Sequence, residues 1–172
     1  MSYVIVLVGG TGEGKTTYGR KMLKGKKHLA LDYGDDFIGY NRYTDVHDMN
    51  SFLKIFEPTK EKFTGGIVLI DEATMCFNNR GYSSDLNKIL VRKRHAKNTY
   101  VLVFHSLRQI PLYIKDFIDL VILFKTNDSE NEALKFPNGE KILEAHQELK
   151  NFQTNNKKSP DQHYKPFEIL LK

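Results

Sequence analysis

The sequence predicts a three-layer α/β fold, in which a mainly parallel sheet of about five strands has helices on both faces. Short apolar segments of strand length alternate along the chain with segments whose apolar residues have helical spacing. The strand-like segments are apolar at consecutive positions, which is typical of strands buried on both faces. With 172 residues, of which 40% are hydrophobic and 27% are charged, the chain has the composition of one globular domain.

The first elements are a strand, a helix and a second strand. Tyr3–Val8 is continuously apolar and rich in β-branched residues, so it predicts a buried strand. After a glycine-rich break, Lys15–Leu23 predicts a helix that ends near Gly25. His28–Asp32 then predicts a short second strand.

The middle of the chain continues this alternation. Val46–Phe56 has apolar residues at helical spacing and Pro58 just beyond it, which predicts a helix. Ile67–Ile70 follows a pair of glycines and predicts another fully buried strand. Ser84–Arg94 places its leucines and isoleucine on one face and basic residues near its end, as expected of an amphipathic helix.

The last predicted elements are two strands of the sheet and two helices that pack on it. Thr99–Phe104 and Leu120–Phe124 predict strands, and Pro111–Phe117 predicts a short helix between them. Glu140–Phe152 predicts a final helix after a Pro-Asn-Gly turn.

The predicted domain covers residues 1–152, and residues 153–172 form a polar tail with a short apolar end. Gln153–Lys165 is polar and lacks periodicity. Phe167–Leu171 is apolar again, which fits either an added edge strand or a segment that docks on a partner. We favour the edge strand.

Composition restricts the functional class only broadly. The formal charge of +5 favours a polyanionic partner, and the single cysteine, Cys76, fits a reducing compartment and a buried apolar position. The longest apolar runs are too short to cross a bilayer, and the N-terminus lacks the layout of a signal peptide. These features predict a cytoplasmic protein without a membrane span.

A phosphate-binding loop follows the first strand. Its sequence matches G-x-x-x-x-G-K-[ST] and lies between a strand and a helix, as phosphate binding by backbone amides requires. Lys15 is expected to reach the β- and γ-phosphates, Thr16 to bind Mg²⁺, and Thr17 to lie near the α-phosphate. The motif consists of Gly9, Gly10, Thr11, Gly12, Glu13, Gly14, Lys15 and Thr16.

Two carboxylates follow the third predicted strand. Asp71 is expected to hold Mg²⁺ beside Thr16, directly or through water. Glu72 is placed to polarise a water molecule toward the γ-phosphate, which is the work of a general base. The pair favours nucleotide hydrolysis over phosphate transfer to a small molecule. The other histidines have no metal-ligand spacing, so no metal besides Mg²⁺ is predicted.

The second half of the chain combines an acidic pair, a basic cluster and a strand that ends in polar residues, in Asp71–Ala73, Arg92–Asn98, Tyr100–Ser106 and the Ile110-Pro111 pair. On these residues the chain resembles, from roughly Val4 to Phe124, the FtsK–HerA superfamily of ATPases, and most of all the small viral genome-packaging ATPases and the zonula-occludens-toxin-like assembly ATPases of filamentous phages. It implies ATP as the nucleotide and a homo-oligomeric ring. It further implies sequence-independent DNA binding, with capsid or assembly proteins as possible partners, in the host cytoplasm or the virion.

The resemblance also implies two further catalytic groups. Arg92 or Arg94 would act as an arginine finger toward the γ-phosphate of a neighbouring subunit. Arg80 is a rival for that role, because it lies in a loop after the acidic pair. Where the family ends its fourth strand with a polar sensor, often Thr-Gln, this chain has His105 and Ser106. Either can bond to water or phosphate, and Gln109 is an alternative.

Two other functions remain open on sequence grounds. A nucleoside or nucleotide kinase has a similar length, and Asp32–Asp36 lies where such an enzyme binds its acceptor, although a solvated acidic loop is the commoner explanation. A nucleotide-gated assembly adaptor with negligible turnover would use the C-terminal tail for docking.

Overall fold

A seven-stranded sheet forms the middle layer in the computed structural model, counted over the residues that the structure describes, which are 2–44, 63–76, 84–91, 93–155 and 166–171. The strands are β1 Val4–Val8, β2 His28–Leu31, β3 Arg42–Tyr43, β4 Ile67–Ile70, β5 Thr99–Phe104, β6 Leu120–Leu123 and β7 Phe167–Leu170.

The strand order is β3-β2-β4-β5-β1-β6-β7. Neighbouring strands from β3 to β6 run parallel, whereas β7 pairs antiparallel with β6, with Leu123 opposite Phe167. The parallel strands therefore end together at one edge of the sheet, which we call the carboxyl edge, and begin together at the other, the amino edge.

Helices cover both faces of the sheet, as predicted. Leu23 of the first helix packs with Leu7, Leu69 and Val101 on one face. On the other face the sheet packs against the second and last helices, through residues such as Leu86. The helices are α1 Lys15–Leu23, α2 Ser84–Val91, α3 Lys93–Ala96, α4 Leu112–Lys115, α5 Glu130–Leu134 and α6 Gly139–Asn155.

The five predicted strands are all present, and the sheet has two more. Phe167–Leu170 forms the edge strand that we favoured for the end of the chain. Arg42–Tyr43 was not predicted, because two residues flanked by polar neighbours give no periodicity. The predicted boundary at residue 152 falls within α6, which continues to Asn155.

The helices differ more from their predictions. The predicted Ser84–Arg94 helix is observed as α2, which ends at Val91, and the short α3. The α5 helix, Glu130–Leu134, was not predicted. The predicted helix Val46–Phe56 lies outside the described residues. In the part of the chain that the structure covers, no helix is both long and apolar enough to cross a membrane.

Candidate nucleotide-binding site

The phosphate-binding loop leaves β1 and enters α1 through backbone conformations that need glycine. Gly12 and Gly14 have φ angles of 79° and 93°, in the left-handed region that other residues rarely adopt. A Cβ atom at Gly9 would lie only 2.5 Å from the Cβ of Phe124. The amide of Gly10 donates to the Lys125 carbonyl at 2.7 Å, which anchors the loop to the segment after β6.

Lys15 is buried inside this loop with its charge retained by backbone carbonyls. Its Nζ donates to the carbonyl oxygens of Gly9 at 2.7 Å and Gly10 at 2.6 Å. Burial lowers the pKa of Lys15, and the nearby carboxylates of Glu72 and Asp71 act in the opposite direction. A desolvated ammonium that donates to backbone carbonyls is suited to binding a phosphate, whose negative charge would further stabilise it.

Asp71 lies at the carboxyl edge directly after β4 and is 7% exposed. Burial, followed by the charges of Glu72 and Asp36, raises the pKa of Asp71 to about 6. An aspartate whose charge is disfavoured in this way fits a position next to a cation.

Glu72 contacts His105 across two adjacent strand ends. Glu72 Oε1 lies 2.5 Å from His105 Nε2, and the His105 amide donates to Gln109 Oε1 at 3.0 Å. Glu72 has a φ of 50°, an uncommon conformation for a residue with a side chain. The buried His105 Nδ1 and Ser106 Oγ have no hydrogen-bond partner among the described residues. The geometry therefore links the predicted general base to the predicted sensor.

A cavity of about 410 Å³ joins these groups, a size suited to a nucleotide. It brings together most of the residues that the sequence predicted, while Gly9, Gly10, Glu13 and Ser106 lie in the adjoining loops. The cavity is lined by Thr11, Gly12, Gly14, Lys15, Thr16, Thr17, Asp36, Asp71, Glu72, Val103 and His105.

The acidic segment after β2 belongs to the site, which the sequence reasoning did not favour. Asp32 is 2% exposed and accepts hydrogen bonds from the amides of Asp36 at 2.9 Å and Phe37 at 3.1 Å. It also pairs with Arg42 Nη1 at 2.8 Å. The expectation of a solvated loop is therefore wrong for Asp32, although Asp35 is exposed. These bonds place Asp36 at the cavity.

Asp128 is a further buried acid that the sequence reasoning missed. Its carboxylate accepts a hydrogen bond from the Leu107 amide at 2.6 Å and from Thr126 Oγ1 at 2.5 Å. Its own carbonyl accepts from His146 Nε2 at 3.0 Å. Asp128 thus ties the loop after His105 to the segment after β6 and to α6. A lone aspartate in a polar loop carries no sequence signal for this role.

Of the two predicted arginine fingers, the one that the structure describes, Arg94, does not line this chain's own cavity. Arg94 is exposed on α3, just before β5 begins, and therefore lies at the amino edge. Arg92 and Arg80 lie outside the described residues. A role for Arg94 toward the nucleotide of a neighbouring subunit stays a prediction.

The oxygen donors of the cavity fit a magnesium ion. The hydroxyl of Thr16 and the carboxylate of Asp71 line the same cavity, and the repulsion among Asp71, Glu72 and Asp36 would be relieved by a divalent cation. The described residues contain no group of three or more His, Cys, Asp or Glu that could hold a metal by itself. This agrees with an ion that also needs phosphate oxygens and water.

Solved structures of P-loop NTPases share this fold. The genome packaging NTPase B204 from Sulfolobus turreted icosahedral virus 2, in complex with ATP-gammaS, has a TM-score of 0.66 and 19% identity over 86% of each chain. B204 in complex with AMP has a TM-score of 0.68 and 17% identity, covering 99% of this chain and 93% of B204. The N-terminal domain of zonular occludens toxin from Neisseria meningitidis has a TM-score of 0.55 and 16% identity, covering 74% of this chain and 78% of that domain.

No protein-family model and no curated protein sequence matches the chain. The structural neighbours are nevertheless of the two kinds that the sequence resembles, a viral genome-packaging NTPase and a zonular occludens toxin domain. The predicted three-layer fold with a mainly parallel sheet is thereby confirmed.

Proposed function

We propose that this chain, which has the fold of a P-loop NTPase, hydrolyses ATP to move DNA during viral genome packaging or virion assembly. The observation that carries the proposal is the Glu72–His105 pair in the same cavity as Lys15 and Asp71. A carboxylate oriented by a histidine beside a phosphate-binding loop is suited to activating water. The similarity of fold to B204, whose structures are of a genome packaging NTPase, supports the packaging role.

In the proposed reaction each residue has a distinct task. Lys15 stabilises the negative charge that develops on the β- and γ-phosphates, and the amides of the loop hold the phosphates in place. Thr16 and Asp71 would hold Mg²⁺, which when bound offsets the phosphate charge. Glu72 accepts a proton from water as the water oxygen bonds to the γ-phosphorus. The bond from that phosphorus to the bridging oxygen breaks, which leaves ADP and phosphate.

The assembly that this function needs is also part of the proposal. Because Arg94 lies at the amino edge, it can reach a nucleotide only in a second copy of the chain. A homo-oligomeric ring would supply that copy, and DNA would bind without sequence preference through basic residues. Capsid or assembly proteins would be its further partners.

The direct test is steady-state ATPase activity of the wild type and of Glu72→Gln, measured with and without DNA. We expect Glu72→Gln to lower kcat by about 10²–10⁴-fold, because the amide cannot accept the proton, while ATP binding persists. DNA should stimulate the wild type. Unchanged turnover in Glu72→Gln would rule out the assignment of Glu72 as general base.

The kinase alternative keeps one specific observation in its favour, since Asp36 lines the cavity and could receive an acceptor hydroxyl. The two functions differ in where the phosphate goes. Free phosphate formed at the same rate with and without added nucleosides supports hydrolysis. Conversion of nucleosides to their monophosphates would establish the kinase instead, and a single-turnover experiment without any product would indicate an adaptor.

A further inference from the structure

The amino edge of the sheet carries exposed cations on two segments, one before β2 and one before β5. No ion pair or hydrogen bond to another described residue involves the side chains of Lys24, Lys26, Arg94 or Lys97. We call the lysines of these two segments, Lys24, Lys26, Lys27 and Lys97, the basic edge, and leave out Arg94 because it is proposed above to act on the nucleotide of a second copy.

Hydrogen bonds join the two segments into one surface. Lys27 Nζ donates to the Thr64 carbonyl at 2.6 Å, and the next amide, that of Gly65, donates to the Ala96 carbonyl at 3.0 Å. The two segments precede β2 and β5, which are two strand spacings, or about 10 Å, apart because only β4 lies between them. That length corresponds to about three phosphates of one strand, at roughly 3.4 Å each along the axis of a duplex.

A cavity of about 490 Å³ opens within this surface and is lined in part by Arg94, Lys97 and Tyr3. Asp119, the one carboxylate among the described residues of the lining, is already engaged, because it pairs with Lys93 and accepts the Val4 amide at 2.8 Å. The charge of Lys97 is therefore left for a ligand. Tyr3 is 40% exposed and adds an aromatic ring to the same cavity, of the kind on which bases or sugars can pack.

The carboxyl edge offers a polyanion the opposite environment. Glu13, Asp36, Asp71 and Glu72 lie in or beside the nucleotide cavity, and Lys15 is enclosed by the phosphate-binding loop. A nucleic acid approaching this edge would meet these carboxylates, with Arg108 as an exposed cation on the loop after β5. Electrostatics thus directs a long polyanion to the amino edge.

We infer that the basic edge binds the sugar-phosphate backbone of nucleic acid, so that DNA and ATP occupy opposite edges of one sheet. The inference rests on the proposed function, because it names the surface that the motor presents to its DNA. Contacts of lysine and arginine with phosphate carry no sequence information, which fits the sequence-independent binding proposed above.

The test is binding of a fluorescently labelled DNA duplex, measured by anisotropy at about 0.05 M and about 0.2 M salt. We expect Lys97→Ala to weaken binding about tenfold at the lower salt and to reduce the slope of log affinity against log salt by about 1. The triple variant Lys24→Ala/Lys26→Ala/Lys97→Ala should lose about 100-fold or more. Lys141→Ala is the matched control, because it removes an exposed lysine beside Glu144 and Glu148 on α6 and should change affinity less than about twofold.

The outcomes separate this inference from the proposed function. Wild type that binds no DNA at either salt overturns both. If wild type binds DNA and the triple variant binds equally well, the basic edge is not the contact surface, although the motor function survives. If anionic phospholipid vesicles bind more tightly than DNA and the triple variant loses them, the partner is a membrane surface and the inference is wrong. Melting temperatures within about 2 °C of wild type would verify folding.

Discussion

The two edges of the sheet use the same kinds of residue in different ways. At the carboxyl edge, charged groups are enclosed by backbone, as Lys15 is by the Gly9 and Gly10 carbonyls. At the amino edge, Arg94 and Lys97 extend into solvent. An enclosed charge has a fixed position and an altered pKa, which chemistry on a small ligand requires. An exposed charge is mobile, and binding removes only part of its water shell, which costs little free energy. Such a charge suits a long partner of variable sequence.

This contrast shows that the role of a positively charged side chain depends on how deeply it is buried. The composition gives a single figure, +5, whereas the structure divides the cations into those that are enclosed and those that remain accessible. Four sets of substitutions, taken from the largest expected effect to the smallest, compare enclosed with accessible groups.

Removing the enclosed lysine should have the largest effect. Lys15→Ala is expected to lower ATP hydrolysis by about 100-fold or more, because Lys15 is the one lysine or arginine among the described residues that line the cavity. Steady-state phosphate release and binding of a fluorescent ATP analogue measure the change. Lys141→Ala, at an exposed position on α6, should leave both unchanged. Equal losses in the two variants would mean that overall charge, and not enclosure, supports the activity.

Removing a buried carboxylate at the carboxyl edge should cost more stability than removing one at the amino edge. Asp128→Ala leaves the amide of Leu107 and the hydroxyl of Thr126 without their acceptor and should cost about 2–3 kcal/mol. Asp119→Ala removes a more accessible acceptor of the Val4 amide and should cost about 1 kcal/mol. Urea unfolding measures the free energy of unfolding of both variants. A larger loss of stability in Asp119→Ala than in Asp128→Ala would contradict the prediction.

The histidine that contacts the general base should act on turnover rather than on binding. His105→Ala is expected to lower kcat about tenfold with little change in KM, because Glu72 loses the partner that orients it. His105→Gln, which keeps a donor at similar reach, should recover part of kcat. His95→Ala changes an exposed histidine of the amino edge and serves as control. A rise in KM with constant kcat would show that His105 contributes to binding only.

The smallest effect concerns pH. Burial chiefly lowers the pKa of His146, whose ring is fully buried, so folding favours its neutral form. Because the unfolded chain takes up the proton first, this contribution to stability is lost as the pH falls below the unfolded value of about 6.5. We expect the free energy of unfolding to decline less between pH 7.5 and pH 5.5 in His146→Gln than in wild type.

Because wild type and His146→Gln both contain Asp71, comparing them cancels its contribution to the pH dependence of stability, which has the opposite sign. The pKa of Asp71 is raised to about 6 in the folded state, so its protonation adds stability as the pH falls through that range. Parallel pH curves for wild type and His146→Gln would contradict the prediction for His146.

The sequence predicted those parts of the site that depend on local motifs. Gly9–Thr16 has the spacing of a phosphate-binding loop, and Asp71 and Glu72 follow a strand with a continuous apolar run. The same holds for the five central strands, because burial on both faces leaves a continuous apolar signature.

The parts that were missed depend on contacts between distant segments. Asp36 reaches the cavity because Asp32 accepts the amides of its own loop and binds Arg42 of β3, a strand too short to give a pattern. Asp128 acts on the loop after β5 from the segment after β6. The spacing of residues in the sequence reveals neither contact, because each depends on which strands are neighbours in the sheet.

Strand β5 connects the two edges of the sheet, so its stiffness affects any coupling between ATP and DNA. It begins two residues after Lys97 and ends one residue before His105, and its six residues span about 20 Å. Because β5 is hydrogen-bonded to β1 on one side and to β4 on the other, we expect it to move as a rigid body and not to stretch. Two spin labels placed at positions 97 and 105 should therefore keep a constant separation throughout the ATP cycle.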